Sequence, residues 1–152
     1  LREMGRVHRG AGTAVAGLQW VKSFWKNRGL SPKGFFMQDG SGLSRSSALS
    51  ASYLSHILRK MAADERTFDT FRYSLSVAGG EGTLKYMLRG TSASGRVYGK
   101  SGTLERVRAY AGYVRTRSGK WVSFCMIANN FSGSSRSIRT QMEKILLAIY
   151  RL

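Results

Sequence analysis

The chain has 152 residues, 42% of them hydrophobic, which is enough for one domain with its own core. Twenty-five Lys and Arg against eight Asp and Glu leave a formal charge of +17, so a nucleic acid or another anionic surface has to be considered first as a partner. No run of about 18 apolar residues is present, which excludes a membrane-spanning helix, and the single cysteine, Cys125, excludes an internal disulfide and a Cys-x-x-Cys redox pair.

The basic residues are spread from Arg2 to Arg151 rather than gathered in a tail or along one helical stripe. Such a spread fits either a solvated cationic surface or an anion-binding role, and both stay open at this point. No aromatic-plus-basic RNA signature, zinc spacing or basic-region helix accompanies the charge, which counts against a nucleic-acid-binding module. The chain opens Leu1-Arg2-Glu3-Met4, without a visible secretion signal or an initiator methionine. The expectation is a piece of a longer polypeptide, although trimming of a mature protein would give the same start.

In chain order, residues 1–12 are basic and contain glycine, and read as a frayed entry. From Thr13 the apolar positions Ala14, Leu18, Val21 and Trp25 fall four, three and four apart, the stripe of a helix that stops at Asn27-Arg28-Gly29, with Pro32 beyond it. Within it, Ser23-Phe24-Trp25-Lys26 matches a four-residue pattern known from serine acyl-transferases. The pattern is common and its flanks are wrong, so it is set aside. Phe35-Phe36-Met37 predicts a short apolar strand before the glycine-rich loop Gln38-Asp39-Gly40-Ser41-Gly42-Leu43-Ser44-Arg45. Ser50 can cap a helix that buries Leu54, Ile57, Leu58 and Met61, with Tyr53 flanking. His56 on that helix reads as solvent-facing or hydrogen-bonded, His8 has no partner pattern, and two isolated histidines do not make a metal site.

Residues 62–70 read as a polar connection, and Gly79 to Met87 as a glycine loop opening a short helix. That loop follows no predicted strand, so it is not a nucleotide-binding fingerprint. Val107 to Thr116 and Trp121 to Asn129 are rich in β-branched and aromatic residues and are joined by Arg117-Ser118-Gly119-Lys120, which predicts a hairpin. Cys125 lies in the second of these runs and reads as a buried structural thiol. A last helix, capped by Ser134 or Ser135, repeats Ile138, Met142, Ile145 and Ile149 four, three and four apart. With the strand before the hairpin this makes a three-stranded antiparallel meander covered by a helix, an α/β sandwich.

The strand before the hairpin carries Lys100-Ser101-Gly102-Thr103. A lysine beside two hydroxyls and a residue without a side chain, at or near a sheet edge, offers a positive charge, hydrogen-bonding hydroxyls and approachable backbone N–H groups. That set suits a substrate that ends in a carboxylate next to an amide carbonyl.

Four segments in order then carry a resemblance: Asp39-Gly40-Ser41-Gly42-Leu43-Ser44-Arg45; Ser74-Leu75-Ser76-Val77-Ala78-Gly79 with Gly82-Thr83-Leu84; Lys100-Ser101-Gly102-Thr103-Leu104; and Val107-Arg108-Ala109-Tyr110-Ala111-Gly112-Tyr113-Val114 followed by Asn129-Asn130. In order and spacing they resemble the C-terminal half of the D-alanyl-D-alanine carboxypeptidase/endopeptidase family of low-molecular-mass penicillin-binding proteins, the branch with a large insertion in its catalytic domain. The resemblance covers nearly the whole chain and implies that residues 1–152 are the C-terminal portion of a domain of the β-lactamase/transpeptidase-like fold, with an antiparallel sheet packed against helices.

It also implies a reaction. A serine attacks the carbonyl of a terminal D-Ala-D-Ala bond in a peptidoglycan stem peptide, D-alanine leaves, and water or an amine resolves the acyl-enzyme, with no cofactor and no metal. Lys100 resembles the lysine of the family's Lys-Thr-Gly element, with Ser101 in place of threonine. Ser44 resembles the proton-relaying serine of the second motif. Ser101 and Thr103 would donate hydroxyl hydrogen bonds to the substrate carboxylate, Gly102 would let its backbone pair alongside, and the Thr103 N–H would supply half of an oxyanion hole. The asparagine expected two or three residues after Ser44 is replaced by Ser46 and Ser47, and Ser47 is carried over as its stand-in.

The nucleophile belongs, in that family, to a Ser-x-x-Lys segment far upstream, so the chain alone is expected not to turn over substrate. The implied partners are peptidoglycan peptides, β-lactams and the missing N-terminal half, in a periplasmic or otherwise extracytoplasmic place. The alternatives are a catalytically silent relative that binds wall peptides or anionic wall polymers and, lower, the nucleic-acid module.

Overall fold

The computed structural model describes residues 1–152, which divide into two compact units, Leu1–Ile57 and Leu58–Leu152. The elements of the first are α1 (Arg2–Arg9), α2 (Ala14–Asn27), the two-residue strands β1 (Phe35–Phe36) and β2 (Ala48–Leu49), and the start of α3 (Ala51–Ala62). The helix predicted from Thr13 is α2, capped by Thr13, whose hydroxyl accepts from the Ala16 N–H at 3.1 Å.

Residues 1–12 are not frayed: Arg2–Arg9 form a helix. Glu3 and Arg6 pair one turn apart, and Gly10 closes the end in the left-handed conformation with its N–H on the Arg6 carbonyl. What seats α1 against α2 is the lack of side chains. A Cβ on Gly17 would lie 2.1 Å from the Leu1 carbonyl oxygen, and one on Gly5 only 2.9 Å from the Gly17 nitrogen. The His8 ring stacks on Trp20 at 4.1 Å. A contact made by glycine leaves no apolar stripe to read in the sequence.

The small core of this unit is Leu30, Phe35 and Tyr53, with Val21, Trp25, Met37, Leu49 and Ile57 around it. Tyr53, expected at the flank of its helix, is 7% exposed and stacks on Phe35 at 5.1 Å. The N-terminus of α3 is capped as expected, with the Ser50 hydroxyl accepting from the Tyr53 N–H at 3.1 Å.

The second unit holds α4 (Glu65–Tyr73), β3 (Ser76–Val77), a single 3-10 turn at Gly82–Leu84, β4 (Val97–Leu104), β5 (Val107–Arg115), β6 (Trp121–Asn129) and α5 (Ser135–Tyr150). The sheet order is β3-β4-β5-β6, antiparallel throughout. The predicted meander is therefore present, with β3 added on its outer side. The expected polar connection at 62–70 is mostly helix, capped by Asp64, which accepts from the Arg66 N–H at 3.2 Å. The expected helix through Met87 is the 3-10 turn alone.

Helix α4 carries three aromatic side chains, of which Tyr73 is exposed, leaving Phe68 and Phe71 for packing. Phe68 and Phe71 stand edge-on to Tyr113, at 5.1 and 6.3 Å. Tyr113 is fully buried, its hydroxyl donates to the Leu58 carbonyl at 2.7 Å, and burial pushes its phenol well up.

Helix α5 lays Met142 and Leu146 on the sheet among Val97, Tyr110, Val114 and Phe124. The predicted stripe was right at Ile138, Met142 and Ile149, but Leu146 is the residue at 0% exposure, whereas Ile145 is half exposed. The hairpin turn is pinned by Thr116, 3% exposed, whose hydroxyl accepts from the Lys120 N–H at 3.1 Å. No helix is long and apolar enough to cross a membrane.

Candidate functional site

In the first unit, β1 and β2 pair Phe35 with Leu49 and Phe36 with Ala48, and this short ladder closes the neck of the loop 37–47. Asp39 organises the loop. One carboxylate oxygen accepts from the Ser41 hydroxyl, from the Leu43 N–H at 3.1 Å and from the Ser44 N–H at 3.3 Å, and the other accepts from the Ser47 hydroxyl at 3.2 Å. The bond from Ser41 does most to hold the Asp39 carboxyl below the usual aspartate range; partial desolvation opposes it, and the two N–H groups and Ser47 add to it.

The Ser44 hydroxyl accepts from the Ser46 N–H at 3.2 Å and reaches the Gln38 side-chain oxygen only at 3.5 Å, so its proton is loosely held and free to be redirected. The Ser47 hydroxyl is more committed. It donates to Asp39 and accepts from the Gln38 N–H at 3.1 Å, which leaves one acceptor lone pair and no proton. Ser44 and Ser47 are thus brought together on one loop around a carboxylate that the sequence reading had passed over.

In the second unit, β4 carries Lys100, Ser101, Gly102 and Thr103. It pairs with β5 along its whole length, from Val97 opposite Val114 to Leu104 opposite Val107. On its other side β3 covers only Tyr98 and Gly99, so Lys100 to Leu104 form an open edge. The Val97 carbonyl accepts from the Ala78 N–H on the β3 side. Because the backbone groups of a strand alternate in direction, Ser101 and Thr103 present their N–H and C=O groups to that same open side.

Lys100 is exposed, and its ammonium donates to the Ser101 carbonyl at 2.7 Å, curling over the open edge. The Thr103 hydroxyl accepts from Arg108 of β5 at 2.5 Å, a neighbour that the sequence reading did not single out. Ser44 and Ser47 belong to the first unit and Lys100 to Thr103 to the second. Cys125 is half-buried on β6 and burial pushes its thiol up, away from nucleophile character. The set-aside Ser23 lies in α2, where its hydroxyl accepts from Arg9 at 3.3 Å. No group of three His, Cys, Asp or Glu side chains is placed to hold a metal ion.

The model of the D-Ala-D-Ala carboxypeptidase 3 (S13) family matches residues 1–149. A D-alanyl-D-alanine carboxypeptidase of Actinomadura sp. (strain R39) is 36% identical over 138 residues, 88% of this chain and 25% of that protein. Carboxypeptidase DacB of Mycolicibacterium smegmatis is 31% identical over 150 residues, 94% of this chain and 31% of the relative. The chain therefore spans between a quarter and a third of the curated relatives it matches.

Among solved structures, penicillin binding protein 4 (dacB) of Haemophilus influenzae, in complex with a β-lactam, superposes with a TM-score of 0.89 at 23% identity, over 99% of this chain and 37% of that one. The TLA-1 extended-spectrum β-lactamase gives 0.68 at 14% identity, over 98% and 62%. These likenesses place the chain in the transpeptidase-like fold: an antiparallel sheet with helices packed on it.

Proposed function

Since the chain belongs to the D-Ala-D-Ala carboxypeptidase 3 (S13) family, we propose that it is the C-terminal, peptide-receiving portion of a serine-type D-alanyl-D-alanine carboxypeptidase of the low-molecular-mass penicillin-binding type, with the attacking serine supplied by a segment outside residues 1–152. The substrate is a peptidoglycan stem peptide with a free carboxylate end, β-lactams occupy the same place, and the work is extracytoplasmic. The observation that supports this reading most is the open edge at Lys100 to Leu104, where the main chain of Ser101 and Thr103 faces outward beside an exposed ammonium that no carboxylate pairs.

A peptide laid along that edge pairs its backbone with Ser101 and Thr103 as an added strand. Gly102 keeps the approach clear, since a Cβ there would touch only Ala109, at 3.6 Å. The Thr103 N–H faces the oxygen of the carbonyl under attack, where negative charge develops, and the hydroxyls of Ser101 and Thr103 donate to the terminal carboxylate. Lys100 supplies the positive potential that draws that carboxylate in. As the serine oxygen bonds to the carbonyl carbon and the C–N bond breaks, the proton given up by the attacking hydroxyl has to reach the leaving D-alanine nitrogen. Ser44, whose hydroxyl is loosely held, is the residue assigned to pass it. Water then attacks the ester and releases the shortened peptide. Ser47 has no free proton, so it can accept from a substrate N–H but cannot donate to a carbonyl as an asparagine would.

The test is covalent labelling of the full-length protein by a fluorescent penicillin. Labelling is expected, and Lys100→Ala should slow it by about 10²–10³-fold. Labelling of the Lys100→Ala protein at the parent rate would remove Lys100 from the mechanism. A second reading, a catalytically silent relative that binds wall peptides or anionic wall polymers, is favoured by the +17 charge and predicts no label on the parent protein.

A further inference from the structure

Arg108 differs from the other cations of this chain in what surrounds it. The β4–β5 register sets it opposite Thr103, and its Nη1 donates to the Thr103 hydroxyl at 2.5 Å. Its Nε is sealed from solvent and has no hydrogen-bond partner, a state it shares only with Arg139, which has Glu143 beside it. The guanidinium lies 5.5 Å from the centroid of the Tyr110 ring. The ion pairs of the chain engage Arg6, Arg66, Arg72 and Arg139, and Arg108 is in none of them. A guanidinium fixed against a neutral hydroxyl, with no carboxylate to balance it, is a cation placed for an anion that comes from elsewhere.

The hydroxyl transmits that charge. Because Thr103 accepts from Arg108, its own proton is left to donate, and polarisation by the guanidinium makes it a stronger donor than an isolated threonine. We infer that Arg108 is a specificity-determining positioning residue: it locks Thr103 as a donor and adds a second fixed positive charge, so that the edge selects acyl-D-amino acids with a free terminal carboxylate over the corresponding esters and amides. This rests on the carboxypeptidase reading above and deepens it.

The experiment compares acylation of the full-length protein by benzylpenicillin and by its methyl ester, together with thermal unfolding of each variant. The parent protein should prefer the acid. Arg108→Gln should slow acylation by the acid roughly tenfold to a hundredfold while leaving the ester within about twofold, which collapses the preference. Arg108→Lys, which restores the charge without the fork, should recover part of it. Should the glutamine variant fail to fold, Arg108→Met serves, since it removes the orphaned Nε–H while keeping an apolar stem, and it should show the same collapse. An equal loss towards acid and ester in any folded variant would mean that Arg108 merely holds the strand pair together. An unchanged preference would mean it does not touch recognition, and either result overturns the inference while the carboxypeptidase reading stands. If the parent protein is labelled by neither compound, that reading fails and the inference goes with it.

Discussion

At the scale of single residues, Asp39 shows how a small polar loop holds a fixed shape without a core. Its two oxygens collect two hydroxyls and two main-chain N–H groups from Ser41, Leu43, Ser44 and Ser47, all within eight residues. Each of these bonds favours the ionised carboxylate, so its folded-state pKa is depressed. A depressed carboxyl contributes its full share above the pKa of the unfolded chain and loses it as the pH falls through the lower folded value. The amide resonances of Leu43 and Ser44 should therefore hold steady through about pH 4, the ordinary aspartate range, and move only below it. An NMR titration with a midpoint at or above that range would show that the bonds do not favour the anion. The sequence contained a sign of this, an acid followed closely by glycine and serine, which is turn chemistry as well as site chemistry. Arg108 gave no such sign, because what sets it apart is a cross-strand partner that only register reveals.

At the scale of elements, the strand that carries Lys100 depends on how closely β4 and β5 approach. Gly99 and Gly112 face each other across that pair. A Cβ on Gly112 would lie 2.0 Å from the Tyr98 carbonyl oxygen and 2.6 Å from the Gly99 Cα, and backbone atoms cannot swing aside as a side chain can. Gly112→Ala should force the two strands apart and destabilise the chain by about 1–3 kcal/mol or more, read as a lower denaturation midpoint in urea. An unchanged midpoint would mean that the ladder gives way at no cost. The strands themselves were legible, since β5 and β6 are long, β-branched and aromatic, and separated by a glycine turn. The helices that escaped the sequence reading share a physical trait: α1 packs through Gly5 and Gly17 and α4 through two phenylalanines, so neither shows an apolar repeat. In α5 the repeat was visible but drifts from Ile145 to Leu146, as a 3.6-residue turn does against a pattern of fours and threes.

At the scale of the whole molecule, the charge is the dominant fact. The four ion pairs engage four arginines of twenty-five Lys and Arg, and all four are contacts within a helix between residues three or four apart or, for Arg66, with the cap of its own helix. Most cations therefore face solvent without a carboxylate beside them, and like charges held together in a compact chain repel one another more than they do in the unfolded chain. Counterions screen that repulsion over about 8–10 Å at physiological ionic strength. Raising salt from about 20 mM to about 300 mM should therefore raise the thermal midpoint of the chain, where a protein held by exposed ion pairs would lose stability. Adsorption to an anionic polymer should weaken over the same range, because both effects come from the same uncompensated cations. A midpoint that falls with salt would mean that the positive charges are balanced locally after all, and that the +17 is no guide to what this molecule binds.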